Sequence, residues 1–308
     1  MYSLASNTIQ VIPLVLSVLC LAGFVTVEYR VATDPIIPLV VLQNRGILLS
    51  CLSQLGFMGA RWTVLYFAPI FVLAVRGLGP ALAGTVLVAT NAGFGTGGLL
   101  VGWLHVRRSG SFWLPCLVSL AFFGLTLFGV SFVSNAAAPA WLYLTLLFLN
   151  GFCTGAALNY TLAHLLHLAP HDMHFVATGL LGTFRGFAGS FGTAIGGGVF
   201  MRTLGAALTE GLEALDGTDQ LSPARRELVK RLIGSPALVF GGGLSDAERM
   251  VAVAGYELSL RVLYRSAAAM CILVLVSQAC TGWSEPVSEE EEAEIEEAIA
   301  EHDGATEA

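Results

Sequence analysis

The 308 residues are 55% hydrophobic and only 12% charged, with a mean hydropathy of +0.74. Soluble domains carry about 25% charged residues, so this charge deficit and the repeated long apolar runs make the chain an integral membrane protein. The formal charge of −7 is uneven: the stretch 284–308 holds 11 of the 22 acidic residues and no Lys or Arg, leaving 15 basic against 11 acidic before it. One Lys and no basic patch with interleaved aromatics point away from nucleic acid as a partner.

Seven runs are long enough to cross a bilayer, which takes roughly 20 apolar residues. The first, about 9–27, is uncharged, is interrupted by Pro13 and ends at Glu28-Tyr29-Arg30, a grouping suited to the headgroup layer. The next stretch, 33–45, reads TDPIIPLVVLQNR, and its two prolines prevent a continuous helix. The second run, about 46–75, contains Gln54 and Arg61 and ends at Arg76-Gly77. The third, about 80–104, opens on Pro80, which suits a first helical turn, and carries Asn91 and the series Gly93, Gly95, Gly97, Gly98 and Gly102. The fourth is about 112–133. The fifth, about 141–168, carries Asn150, Asn159 and the pair Gly151/Gly155. The sixth, about 175–203, has Arg185 among the glycine pairs Gly182/Gly186 and Gly192/Gly196, whose spacing of four stacks them on one helix face for close packing. The last is about 261–283.

Between the last two runs lies a polar region, 204–260. Ser222-Pro223 signals a short amphipathic helix there. Ser245 and Glu248 fit a capping box that would lead a helix into the last run. The six Cys are scattered singly in apolar segments and read as small hydrophobes, with no disulfide framework. The first charged residue is Glu28, so no basic region marks a signal peptide. Arg placement gives the orientation. Arg30, Arg45, Arg107 and Arg108 stand in the loops on one side and only Arg76 in the short loops on the other, which puts the first group and the acidic tail 284–308 in the cytosol. The region 204–260 is then a long non-cytosolic loop. An odd number of spans leaves the N-terminus non-cytosolic without a signal, which hints at further sequence upstream.

Four stretches in this order carry a family resemblance: DPIIPLVVLQNR; WTVLYFAPIFVLAVRGLGPALAG; the glycine-rich third run with its basic loop; and ATGLLGTFRGFAGSFGTAIGGG. Together they resemble a fungal major facilitator transporter of the fourteen-span drug:proton antiporter type, a group that includes vacuolar basic amino-acid transporters. The resemblance covers nearly everything from Ile9 to Trp283 and corresponds to the C-terminal half only. It implies an all-α bundle of about seven membrane helices in the plasma or vacuolar membrane. The implied activity is secondary active transport of a small molecule, drug-like or an amino acid, by alternating access. Protons would be the coupling partner, and an N-terminal half or self-association would supply the rest of the cavity. Two features depart from the pattern. GGLLVGWLHVRRSG, residues 97–110, resembles a degenerate second copy of the cytosolic signature loop without its acidic residue, and no Asp or Glu lies inside the seven runs. The alternative is a seven-span receptor or signalling membrane protein, but no Asp-Arg-Tyr or Asn-Pro-x-x-Tyr pattern is present.

Arg185 and Arg61 are the leading site candidates, because ionisable residues inside a membrane are costly and face protein or water. As substrate-cavity or gate residues they would bind an anionic group or repel cations; the plainer reading bonds them to carbonyls of a neighbouring helix. Asn91, Asn150 and Asn159 are either substrate contacts or interhelical hydrogen bonders. Asn159-Tyr160-Thr161 matches a glycosylation pattern but lies inside a run, where no acceptor belongs. His164, His167, His171 and His174 have helical spacing that a metal or proton relay would use, yet Pro170 interrupts it, and interfacial polarity is the plainer reading. GFGTGG, residues 93–98, has no preceding strand and reads as helix packing together with Gly102, not as a phosphate loop. No nucleophile elbow, metalloprotease motif or intramembrane acid pair occurs, so no enzyme, cofactor or metal site is expected.

Overall fold

The computed structural model describes residues 4–30, 44–105, 111–170, 173–218 and 220–283, and every extended element in them is helical. The Pro-rich stretch before Asn44, the Arg107/Arg108 loop, His171 and the acidic tail lie outside the described residues. The helices are α1 (Leu4–Arg30), α2 (Arg45–Ala74), α3 (Pro80–Leu104), α4 (Trp113–Val133), α5 (Ala140–Leu168), α6 (His174–Asp216), α7 (Pro223–Gly234) and α8 (Asp246–Ala279), with a short 3-10 turn at Pro236–Phe240.

Local signals set these boundaries. Asn44 caps α2, its side-chain oxygen accepting from the amides of Gly46 at 3.0 Å and Ile47 at 3.3 Å. Gly77, at φ +64°, follows the end of α2, and a Cβ there would also press into the Phe240 ring. Pro80 opens α3, and α5 stops just before Pro170. Gly217, at φ +64°, closes α6 in the left-handed conformation that ends many helices. Ser222 caps α7, and the reciprocal Ser245–Glu248 capping box starts α8.

The expected long loop over 204–260 is mostly helix instead. α6 continues without a break to Asp216, and α8 begins at Asp246, well before the apolar run. The reason is amphipathic spacing. Leu204, Leu208 and Leu212 bury one stripe of α6, while Glu210 and Glu213 stand among its other positions. Averaged along the chain, those two faces cancel into a polar composition. The same holds for Ala252, Tyr256 and Leu260 on α8. The Tyr256 hydroxyl donates to the Leu232 carbonyl at 2.5 Å, and Arg225 pairs with Asp216 at 2.9 Å and with Glu248. The Asp216 and then the Glu248 hydrogen bonds raise Arg225 above its ordinary value. The ends of α6 and α8, with α7 between them, therefore form one folded cap.

Helices adjacent in sequence are mostly not the ones that pack together. α3 crosses over to pack along α5, and α6 crosses over to pack along α2. α4 lies against α5 and α8, and α8 against α2 and α6. Small residues make the two crossovers. A Cβ at Gly93 or Gly97 would run into the Phe148 and Phe152 carbonyls of α5, and one at Gly151 or Gly155 would meet the Thr90 and Phe94 carbonyls of α3. Gly98 and Gly102 face the Asn159 amide in the same seam. In the second crossover Gly192 lies on the backbone of Gly59, and Gly196 against Thr63. Gly182 and Gly186 differ from expectation: nothing lies within 4 Å of where their Cβ atoms would be. The stacking on one face is present, but no described helix approaches it.

Candidate substrate-facing site

Most of α2 is enclosed by α3, α6 and α8. Two aromatic side chains break that burial, Trp62 at 42% exposed and Tyr66 at 62%, one turn apart on the same face, and Leu52 is exposed nearer the start of the helix. The Trp62 indole lies beside Gly189 of α6, about 3.4 Å from the place a Cβ there would take.

Arg61, next to Trp62, is buried. Its guanidinium crosses to α3, where one nitrogen donates to the Thr90 hydroxyl and another to the Thr90 carbonyl and the Asn91 side-chain oxygen, both at 3.3 Å. A buried cation is tolerated only where its N–H groups are hydrogen-bonded. Thr90, itself fully buried, and Asn91 provide this. Asn91 is exposed on its remaining side, as is Phe94 one turn further along α3. Arg185, on α6, is half-buried, and its Nε–H makes no hydrogen bond to a described residue. The sequence candidates Arg61 and Asn91 are therefore brought into direct contact, and Arg185 stands on the helix that cradles Trp62.

The other two candidates lie elsewhere. The Asn150 amide is buried and donates to the Thr126 hydroxyl at 3.1 Å and the Phe123 carbonyl at 3.4 Å, tying α5 to α4. Asn159 donates to the Gly98 carbonyl at 3.3 Å and to the Gly155 carbonyl of its own helix at 3.0 Å, inside the α3–α5 seam. Both are interhelical bonds of the kind worth about 0.6 kcal/mol on average in membranes. The histidines also part company: His164 meets Thr281, the His167 ring lies against Phe112, and His174 meets the Ala169 carbonyl. Trp62 and Tyr66 were not singled out from the sequence. The available signal was an aromatic pair at spacing four directly after an intramembrane Arg.

Among the described residues, α2, α3, α4, α5 and α8 are each long and apolar enough to cross a membrane. α6, with its many glycines and Arg185, falls below that apolarity despite its length, and α1 contributes a shorter apolar stretch, Val11–Val27. The family model described as Major Facilitator Superfamily matches residues 5–193, well over half the chain and inclusive of Arg61, Asn91 and Arg185. The chain belongs to the Major Facilitator Superfamily. It is a multi-pass membrane protein, and the receptor reading is set aside.

Three curated relatives of this superfamily member are fungal. MFS transporter L2 of a Phoma species is 27% identical over 73% of the chain and 38% of that protein's length. An uncharacterized transporter of Schizosaccharomyces pombe is 27% identical over 85% of the chain and 45% of its own length. The vacuolar membrane amino acid uptake transporter fnx2 of the same yeast is 27% identical over 70% of the chain and 37% of its own length. The chain thus spans less than half the length of the curated relatives it matches.

Proposed function

We propose that this bundle is one wall of the central cavity of a secondary transporter for small molecules, with substrate contacting Trp62, Tyr66, Asn91 and Arg185. The observation that carries this reading is the pair of exposed aromatics on a largely enclosed helix, next to an arginine that three hydrogen bonds on α3 hold in place. Aromatic faces bind apolar or cationic parts of a solute, and Arg185 pairs with an anionic group. A zwitterion such as an amino acid offers both, and so does an amphiphilic drug-like compound. The arginine rule supports the cap formed by α6, α7 and α8 being on the non-cytosolic side and the acidic tail on the cytosolic side. The opposite wall comes from further sequence of the kind the longer relatives have, or from a second copy. Alternating access then rocks one bundle against the other.

No Asp or Glu occurs in the described segments from Arg45 to Thr209, so in this reading a carboxylate that carries protons belongs to the opposite wall. The test is uptake by a full-length transporter containing this sequence. Arg185→Ala should abolish transport while its level in the membrane is unchanged, and Arg185→Lys should retain part of it. Wild-type uptake by the alanine variant would refute the role of Arg185. The 308-residue chain reconstituted by itself should show no uptake.

A further inference from the structure

The apolar interior of the bundle is not continuous. One buried cluster includes Phe57 of α2, Ala157 of α5 and Val274 of α8, and a second, nearer the opposite end of α2, includes Ile47, Cys51 and Leu165. Polar residues are buried between and beside them on the same helices. On α2 these are Ser50, Ser53 and Gln54; on α5 they are Thr161 and His164; on α8 it is Gln278. Ser50, His164 and Gln278 are 0% exposed and Gln54 is 1%.

Hydrogen bonds fix how these groups are staggered along the bundle. Ser53 donates to the Val274 carbonyl at 3.4 Å and Ser277 to the Leu49 carbonyl at 3.2 Å, so α2 and α8 run antiparallel here and Gln278 lies within about two residues of the level of Ser50. Thr281 joins the ends of α5 and α8: its hydroxyl donates to the Gln278 carbonyl at 2.7 Å and lies 2.9 Å from His164 Nε2. The Cys116 thiol of α4 and the Thr161 hydroxyl are 3.3 Å apart. Against this background, both polar atoms of the Gln54 side chain, both of Gln278, the Ser50 hydroxyl and His164 Nδ1 have no protein partner among the described residues. Two buried amides on neighbouring helices, each with every donor and acceptor open, are not explained as isolated lapses. Buried polar groups are almost always paired with protein or with ordered water. A site for such water has to be polar and to offer two to four partners to each molecule, which this layer does.

We propose that the layer between the two apolar clusters holds ordered water molecules, bound by Gln54, Gln278, Ser50 and His164 and reached from the partly exposed Thr281. This site is interior to the bundle and separate from the face that carries Trp62 and Arg185. It makes the α2–α5–α8 contact at that end a hydrated one, which can exchange hydrogen bonds as helices shift, unlike the glycine seams.

The experiment is X-ray radiolytic labelling of the 308-residue chain in lipid nanodiscs, read by mass spectrometry, because hydroxyl radicals formed from bound water oxidise the side chains beside it. Cys116 should be labelled several-fold faster than Cys271, which is equally enclosed but packed among apolar side chains, and His164 should be labelled despite its burial. Equal rates for the two cysteines, with His164 protected, would overturn the proposal. The double variant Gln54→Leu/Gln278→Leu separates the two cases again. If water is bound, the variant lowers the melting temperature and slows Cys116 labelling. If the layer is dry, removing unpaired amides raises the melting temperature and leaves labelling unchanged.

Discussion

The two crossovers use the same device and end up with different surroundings. In the α3–α5 seam, glycines on both helices bring backbone onto backbone at two successive levels, Gly93/Gly97 against Gly151/Gly155. In the α2–α6 seam only one level is glycine on glycine, Gly59 with Gly192; the next is Thr63 with Gly196, where the threonine hydroxyl donates to the Gly192 carbonyl at 3.0 Å. Beside the second seam stand Trp62, Tyr66 and Arg185, and at the edge of the first Asn91 and Phe94 are exposed. An apolar groove of about 340 Å³ also opens where α2, α6 and α8 meet. Lipid tails are as apolar as leucine, so helices in a bilayer adhere through close packing and hydrogen bonds. The seam with more backbone contact is a fixed joint. The looser one is where a substrate face can be built.

The largest expected effect comes from breaking the fixed joint. Gly151→Val would drive a side chain into the Thr90 carbonyl and the Phe94 amide, atoms of a helix backbone that cannot rotate away. Overpacking usually costs about 1–3 kcal/mol, and this substitution should exceed that range because backbone is what clashes. The measure is the yield of monodisperse protein in detergent and its melting temperature, both of which should collapse. A well-behaved Gly151→Val protein would mean that the seam can part. The same substitution at Gly196 meets the Thr63 and Leu263 side chains and no backbone, so a smaller drop there would confirm the contrast between seams.

Next in size is Arg61→Met. Arg61 is held by Thr90 and Asn91, but burying a charge is costly, and replacing buried ionic groups with apolar ones of similar volume is often neutral or stabilising by about 1–4 kcal/mol. Melting of the variant should therefore be unchanged or higher, while uptake by the full-length transporter falls as Asn91 loses its fixed partner. A large loss of stability would make Arg61 a structural strut between α2 and α3. Arg225→Ala belongs at the small end. Its pairs with Asp216 and Glu248 lie in a partly exposed cap, where such pairs are worth up to about 1 kcal/mol. A modest drop in melting, reduced further by salt, is the expected reading.

Much of this was legible in the sequence because hydropathy and spacing report directly on membrane helices. The Pro80 start, the capping box at Ser245 and the packing role of Gly93 and Gly97 all follow from local chemistry. The 204–260 region was harder, since Leu204, Leu208 and Leu212 bury a stripe that average polarity conceals. Site residues were legible only in part. An arginine in an apolar run attracts notice, but whether an asparagine faces outward or bonds to the next helix depends on tertiary packing. Asn91 and Asn150 have the same local signature and opposite orientations. Trp62 is unremarkable in composition and becomes informative only when most of α2 is seen to be enclosed.

The smallest expected effect is the one that bears most on the looser seam. Gly182 and Gly186 stack on one face of α6, on the helix of Arg185, and no described residue lies within reach of a side chain added at either. Gly186→Ala should therefore leave the 308-residue chain folded, and slightly more stable, since alanine is favoured over glycine in a helix by up to about 1 kcal/mol. A rise of a degree or two in detergent melting, or no change, fits a face open in this bundle; a clear fall would mean that the face is already packed. Uptake in the full-length transporter then gives the second reading. If Gly186→Ala leaves the isolated chain intact but slows transport, the open glycine face is where the opposite wall closes. If transport is unaffected, that face looks onto lipid, and the moving contact must lie nearer Trp62 and Tyr66.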